Sequence, residues 1–375
     1  MKILIHIGSP KTGTTTLQRT LRGSPEPLAK RGILYPTSAL HRFKQQELVA
    51  GLGFPGRNSA ARYLSPGKLT EIREAYFGEL KIEVEKLRPN VLVLSTESLF
   101  RHAVARALSV ILEGLHNLNP SSIQIAAYIR RPSSHYLSSI QQRIKASYDI
   151  PHLRPQEFRS VISAYCEAFG RANVNVRCFD RQQLLQGDIV ADFVRHHLEG
   201  TGLAREELQT TDFDNATLSA EAMTILRQYR LDHFPEANDT FNQETRQLIR
   251  LLRQIDKTIS ANRPRLRREP ADIVDYSSPD PKWLKDEFDV VFPDFDYSLS
   301  ERGPAESTEN WRKPRDLGEI LQIEPAIRLK IIEQLRESEW ANTGVFPFFI
   351  ARFWTDGMRQ RASHGAWLDE LQASR

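Results

Sequence analysis

The residues best suited to chemistry lie at the start of the chain. Ile7-Gly8-Ser9-Pro10-Lys11-Thr12-Gly13-Thr14-Thr15-Thr16-Leu17-Gln18 gathers two glycines, one lysine and a run of hydroxyls. Such a run holds an anion when a strand ends before it and a helix begins inside it. The first-turn N–H groups of a helix have no internal partner, and the helix dipole favours negative charge beside them. Gly8 and Gly13 let the backbone curl without a Cβ clash. Thr12, Thr14 and Thr15 add hydroxyl donors, and Lys11 adds a mobile positive charge.

The flanking residues predict both elements. Residues 2–8 read as a buried strand, with Ile3, Leu4, Ile5 and Ile7 nearly continuous. Leu17 and Leu21 then recur at helical spacing, up to a stop near Gly23-Ser24-Pro25. Further strands are predicted over 91–95, 123–129 and 174–179. A helix over 133–147 follows Pro132, which suits a first helical turn. Apolar strands alternating with helices give the expected fold class. It is α/β, a P-loop-type parallel β-sheet flanked by helices, with a helical C-terminal region. Past about residue 200 the pattern changes. Thr240-Phe241-Asn242-Gln243 fits a capping box before Leu248, Leu251, Leu252 and Ile255. Residues 263–281 read as a loop, and helices are predicted near 322–338 and 348–372. The domain reading is therefore an α/β core over 1–200 and a mainly helical region over 201–375.

The spacing within the glycine run narrows the chemistry. Gly8 to Gly13 matches the G-x-x-x-x-G of a P-loop, but Thr14 and Thr15 stand where a kinase or ATPase has Lys and Ser/Thr. The lysine sits inside the loop, at position 11. Pro-Lys-Thr-Gly-Thr-Thr resembles the 5′-phosphosulfate loop of sulfotransferases that use PAPS (3′-phosphoadenosine 5′-phosphosulfate). The resemblance implies that Lys11 contacts the bridging oxygen and phosphate of the donor, while Thr12, Gly13, Thr14 and Thr15 cradle the phosphosulfate. The family holds the 3′-phosphate with an Arg at a strand end and a Ser eight residues on. Arg130 and Ser138 resemble that pair, and a guanidinium and a hydroxyl suit one phosphate. The resemblance covers roughly residues 1–200. The chain departs from it at Thr16, where cytosolic small-molecule members often carry an adenine-stacking Trp, so the pattern lies nearer the bacterial and carbohydrate-directed branches.

Transfer to a hydroxyl or amine requires a base. Glu97 follows the second long strand, in Ser95-Thr96-Glu97-Ser98. Ligands of parallel sheets bind at that end of the strands, and carbohydrate sulfotransferases often place a Glu near this point. A Glu favoured merely by a helix N-terminus is the competing explanation. His102 is the alternative base. His6 reads as a satisfied core residue, and His196-His197 as structural. Arg263–Arg268 reads as a solvated basic loop, and Phe288, Phe292, Phe295 and Tyr297 as core packing. No metal is expected, since the Mg²⁺-holding Lys-Ser/Thr pair is missing.

Bulk properties bound the rest. With 51 Lys+Arg against 47 Asp+Glu in 375 residues, the net charge of +4 does not indicate nucleic-acid binding. The longest apolar stretches are strand-sized, far below the ~20 residues of a spanning helix, and the start lacks a signal-peptide pattern. A cytoplasmic protein with two reduced cysteines, Cys166 and Cys178, is therefore expected. The sequons at Asn215 and Asn238 read as chance. Taken together, the sequence predicts transfer of a sulfuryl group from PAPS to a small-molecule or carbohydrate acceptor, releasing PAP, with the helical region completing the acceptor site. The alternatives are a P-loop small-molecule kinase and a non-catalytic nucleotide-binding protein. Oligomeric state is not legible.

Overall fold

The structure, a computed structural model, describes residues 1–37, 45–55, 60–114, 122–209, 217–300 and 312–338. The helix expected at 348–372 lies outside them. The chain divides into two compact units, Met1–His135 with Pro155–Phe213 and Asp275–Ala305, and Tyr136–Arg154 with Asp214–Val274 and Glu306–Arg375.

The first unit is built on five strands: β1 (Lys2–His6), β2 (Ile33–Leu34), β3 (Val91–Ser95), β4 (Ser122–Ile129) and β5 (Val174–Cys178). They form one sheet in the order β2-β3-β1-β4-β5, with every pair parallel. Successive strand residues face opposite ways, which explains the near-continuous apolar runs. Ile3, Ile5, Leu92, Leu94, Ile125 and Ala127 enter one core, while Leu4, Val91, Val93, Ala126 and Tyr128 enter another. α3 (Gln46–Gly51), α4 (Pro66–Leu87), α5 (His102–Gly114), α7 (Arg159–Phe169) and α12 (Asp280–Phe288) add Leu48, Leu80, Leu108, Ile162 and Leu284 to the first core. α1 (Thr14–Gly23), α2 (Pro25–Lys30) and α8 (Ile189–His197) add Leu17, Leu28 and Phe193 to the second. Each such side chain contributes about 1.5–3 kcal/mol by leaving water. The short α13 (Tyr297–Ser300) completes this unit.

The strand order reverses direction at β1. After β1 the chain builds β2 and then β3 on one side, and later adds β4 and β5 on the other. A crevice at the carboxyl ends of the strands is expected at such a switch point, and the turn after β1 and Arg130 after β4 both lie at that end.

The second unit takes in most of α6 (Pro132–Arg143) and α11 (Arg268–Tyr276), together with α9 (Ala220–His233), α10 (Gln243–Thr258) and α14 (Pro325–Glu337). Met223, Leu226, Leu248, Leu252, Ile331 and Leu335 form its core. Two expectations are corrected here. The N-cap of α10 is Asn242, whose side chain accepts the Thr245 N–H at 2.7 Å, because Asn242 holds the extended backbone directly before the helix. Thr240 instead gives its carbonyl to the buried Arg230. The loop expected at 263–281 contains α11 and the start of α12. Pro270 and Pro281 sit in first turns, where proline is tolerated, so they do not break these helices. Among the described residues no helix is long and apolar enough to cross a membrane.

Candidate functional site

The turn between β1 and α1 starts as an extension of the sheet. The Ile7 N–H donates to Ala126 O and the Ser9 N–H to Tyr128 O. The backbone then curls through two left-handed residues, Lys11 (φ 69°) and Gly13 (φ 73°). A lysine there is strained by about 1–3 kcal/mol, and such strain persists only where the surroundings enforce it. Left-handed residues alternating along a turn aim successive N–H groups to one side, an anion-binding concavity. Thr12 is fully buried and locks the curl by donating to Ser9 O at 2.6 Å. The Ser9 hydroxyl donates to Gln156 Oε1 at 3.1 Å.

Close packing fixes the two glycines. A Cβ on Gly8 would lie 2.4 Å from Thr14 Cγ2 and 2.7 Å from His6 Cε1, and one on Gly13 would lie 2.9 Å from Phe179 Cε2. α1 carries no side-chain cap at Gly13 and no acidic residue in its first turn. Its N-terminal N–H groups therefore have no cap from the helix's own first turn, and the one carboxylate described there, Glu97, meets the Thr14 hydroxyl.

Glu97, two residues after β3, reaches this turn. The Thr14 hydroxyl donates to Glu97 Oε2 at 3.1 Å. Beneath them the Gln18 amide donates to Ser95 O at 3.1 Å, and the Ser95 hydroxyl lies 2.8 Å from His6 Nδ1. The Ser95 N–H, beyond the short β2, donates to Gln45 Oε1 at 3.0 Å. This chain of contacts holds the end of β3 against the base of α1. His6 is fully buried, and desolvation pulls its pKa down to about 3.

A second cationic region lies at the end of β4. Arg130 and Arg131 are adjacent but differ in task. Arg131 donates Nε to Asp275 Oδ2 at 2.8 Å and Nη1 to Asp294 O at 3.0 Å. Asp275 also accepts the Ser133 N–H at 2.8 Å, fixing the start of α6. Burial raises the pKa of Asp275, against the pull of Arg131. Arg130 forms no salt bridge among the described residues. It lines a cleft of ≈ 180 Å³ with Ser134, Cys178, Asp180 and Gln182. Burial draws its pKa down, partly offset by Asp180. Its guanidinium lies 5.9 Å from the Phe179 ring centroid. Phe179 thus touches both halves, packing on Gly13 and sitting beneath Arg130. His135 is the other link. Burial, then Arg130 and Lys11, pull its pKa down to about 4.

The structure therefore brings Lys11, Thr12, Gly13, Thr14, Thr15 and Glu97 to one turn, with Arg130 joined to it through Phe179 and His135. Ser138 belongs to the second unit. His102 is exposed at the first residue of α5. His197 is buried while His196 is exposed, 3.8 Å from Asp192. Phe292 and Phe295 are core residues, and Arg263, Arg265, Arg267 and Arg268 are exposed. Both cysteines are free thiols, and burial pushes Cys178 up to about 12. Sequence reasoning missed Phe179 and His135. The one available signal was Phe179's place just past a strand, at the end where ligands bind.

The arrangement can hold an anion at the turn, offer a second positive charge at Arg130 and present a carboxylate beside the anion. Among the described residues no His, Cys, Asp and Glu cluster is placed to hold a metal ion. No protein-family model, curated protein or solved structure matches the chain.

Proposed function

We propose that the chain is a sulfotransferase that moves a sulfuryl group from PAPS to a hydroxyl or amine, releasing PAP. The observation that carries this reading is the 3.1 Å contact between Thr14 of the glycine turn and Glu97. It supports the reading because it sets a carboxylate beside a turn that lacks the P-loop's Lys-Ser/Thr pair.

The turn's residues fit a phosphosulfate. The packing at Gly8 and Gly13 excludes a Cβ, and the uncapped start of α1 offers backbone donors. When bound, the donor supplies an activated sulfur. The backbone N–H groups of Thr12, Gly13, Thr14 and Thr15 and the Thr15 hydroxyl orient the phosphosulfate for in-line attack, since the Thr12 and Thr14 hydroxyls are given to Ser9 O and Glu97 Oε2. Glu97 accepts the proton of the attacking hydroxyl or amine as the new bond to sulfur forms. Lys11 neutralises the negative charge left on the phosphate oxygen as the old S–O bond breaks. Arg130, facing its cleft with no salt bridge among the described residues, takes the 3′-phosphate. The acceptor class, a carbohydrate or another small molecule, rests on the resemblance alone.

The test is sulfuryl transfer from labelled PAPS to a panel of alcohols, amines and sugars, with Glu97→Gln beside the wild type. A positioned base contributes ~10²–10⁴-fold, so the variant loses that much turnover while still binding PAP. Turnover that survives in the variant removes Glu97 from the mechanism. Phosphoryl transfer from ATP in place of sulfuryl transfer makes the chain a kinase.

A further inference from the structure

We propose that His135 is a donor-site residue that takes up a proton when the doubly phosphorylated nucleotide binds, coupling donor affinity to pH. The inference rests on the sulfotransferase reading.

Geometry comes first. His135 lies in the first turn of α6, its N–H donating to Arg131 O at 2.9 Å. The ring is half-buried, and Nε2 is shielded from solvent without a hydrogen-bond partner. A buried, unpaired ring nitrogen is unfavourable by about 1–3 kcal/mol. Both groups that act electrostatically on the ring are cations: Lys11 from the β1–α1 turn and Arg130 from the end of β4. Among the described residues no carboxylate offsets them there. A polar nitrogen left unpaired within electrostatic reach of the two cations assigned to the donor's anionic ends gains a partner when an anion binds there.

The direction of the coupling follows from charge. In the free protein burial, Arg130 and Lys11 keep His135 neutral down to about pH 4. A bound anion compensates both cations and adds negative potential at the ring, so the imidazolium becomes favourable. If occupancy restores the ordinary value of 6.5, donor affinity gains about tenfold between pH 8 and pH 5.5. Sulfuryl transfer consumes no proton at His135, so the coupling acts on binding of PAPS and of PAP alike.

The experiment is calorimetric titration with PAP at pH 5.5, 6.5 and 8, in buffers of different ionisation enthalpy, on wild type and His135→Gln. PAP's own phosphates titrate in this range and do so equally for both proteins, so the difference between them is decisive. The wild type is expected to take up more protons than the variant at pH 5.5 and 6.5, and to gain about tenfold more affinity on acidification. Equal proton uptake and equal pH dependence in the two proteins overturn the role of His135 while leaving the donor site intact. Wild type that fails to bind PAP at any pH overturns the sulfotransferase reading and this inference with it. His135→Asn, checked by thermal melting, serves in place of a glutamine variant that does not fold.

Discussion

Two polar clusters in the first unit are built on opposite principles. Around Asp192 the network is closed. Its Oδ1 accepts from Tyr128 Oη and Arg177 Nε, both at 2.7 Å, and its Oδ2 accepts from Arg177 Nη2 at 2.9 Å and the Leu185 N–H at 3.1 Å. Burial pushes the Asp192 pKa up, but these donors outweigh it and hold the carboxyl below its ordinary value. Around the glycine turn the network is open. Arg130 has no salt bridge among the described residues, the start of α1 has no side-chain cap, and His135 Nε2 has no partner. A closed charged network serves the fold, since an unpaired buried charge would be costly. An open one, in a strained turn at the carboxyl edge of a parallel sheet, is completed by something from outside.

That contrast can be broken by mutation. The largest effect is expected at Asp192. Asp192→Ala leaves Arg177 and Tyr128 without their shared partner and lowers stability by about 3–5 kcal/mol, measured by denaturant unfolding. Arg130→Ala, in the open cluster, breaks no salt bridge among the described residues and lowers stability by much less. A smaller loss is expected for Gly8→Ala, whose added methyl meets Thr14 and His6 at 2.4–2.7 Å. Overpacking of this kind lowers stability by about 1–3 kcal/mol, and a shift of the Thr14–Glu97 contact reduces turnover beyond what that loss explains.

A pH titration sharpens the same contrast. His6 and His197 are buried, and desolvation pulls both from 6.5 down to about 3. The unfolded chain binds these protons below pH 6.5 and the folded chain does not, so stability is full above that pH and is lost as pH falls toward 3. At pH 5 each histidine accounts for up to roughly 2 kcal/mol of the loss. Thermal melts between pH 8 and pH 5 check this. A melting temperature that stays level over that range contradicts the burial of the pair. A PAP-induced rise in melting temperature that grows on acidification would come from the donor site.

Parts of this were legible in the sequence, for identifiable reasons. β1, β3 and the second half of β4 announced themselves because both faces of the sheet are buried there, while β5, at the sheet edge, showed a buried Val174-Val176-Cys178 face alternating with Asn175 and Arg177. β2 is the two residues Ile33–Leu34, too short for any periodicity. α4 runs for 22 residues but buries only Tyr76 and Leu80, so it shows no apolar stripe. Lys11 to Thr15, Glu97 and Arg130 could be placed because a turn chemistry or a strand end marks each one. His135 and Phe179 were not, because their place near Lys11 and Gly13 arises from packing between segments over a hundred residues apart. The task of Arg131 was hidden for the same reason, since Asp275 reaches it from 144 positions away.

The most direct test of the account is PAP binding measured by calorimetry without added metal, on the wild type, Lys11→Ala and Arg130→Ala. Metal-independent binding, weakened about 10- to 100-fold by each substitution as expected for a lost charged hydrogen bond, is the predicted result. Absence of PAP binding together with Mg²⁺-dependent ATP binding would contradict it.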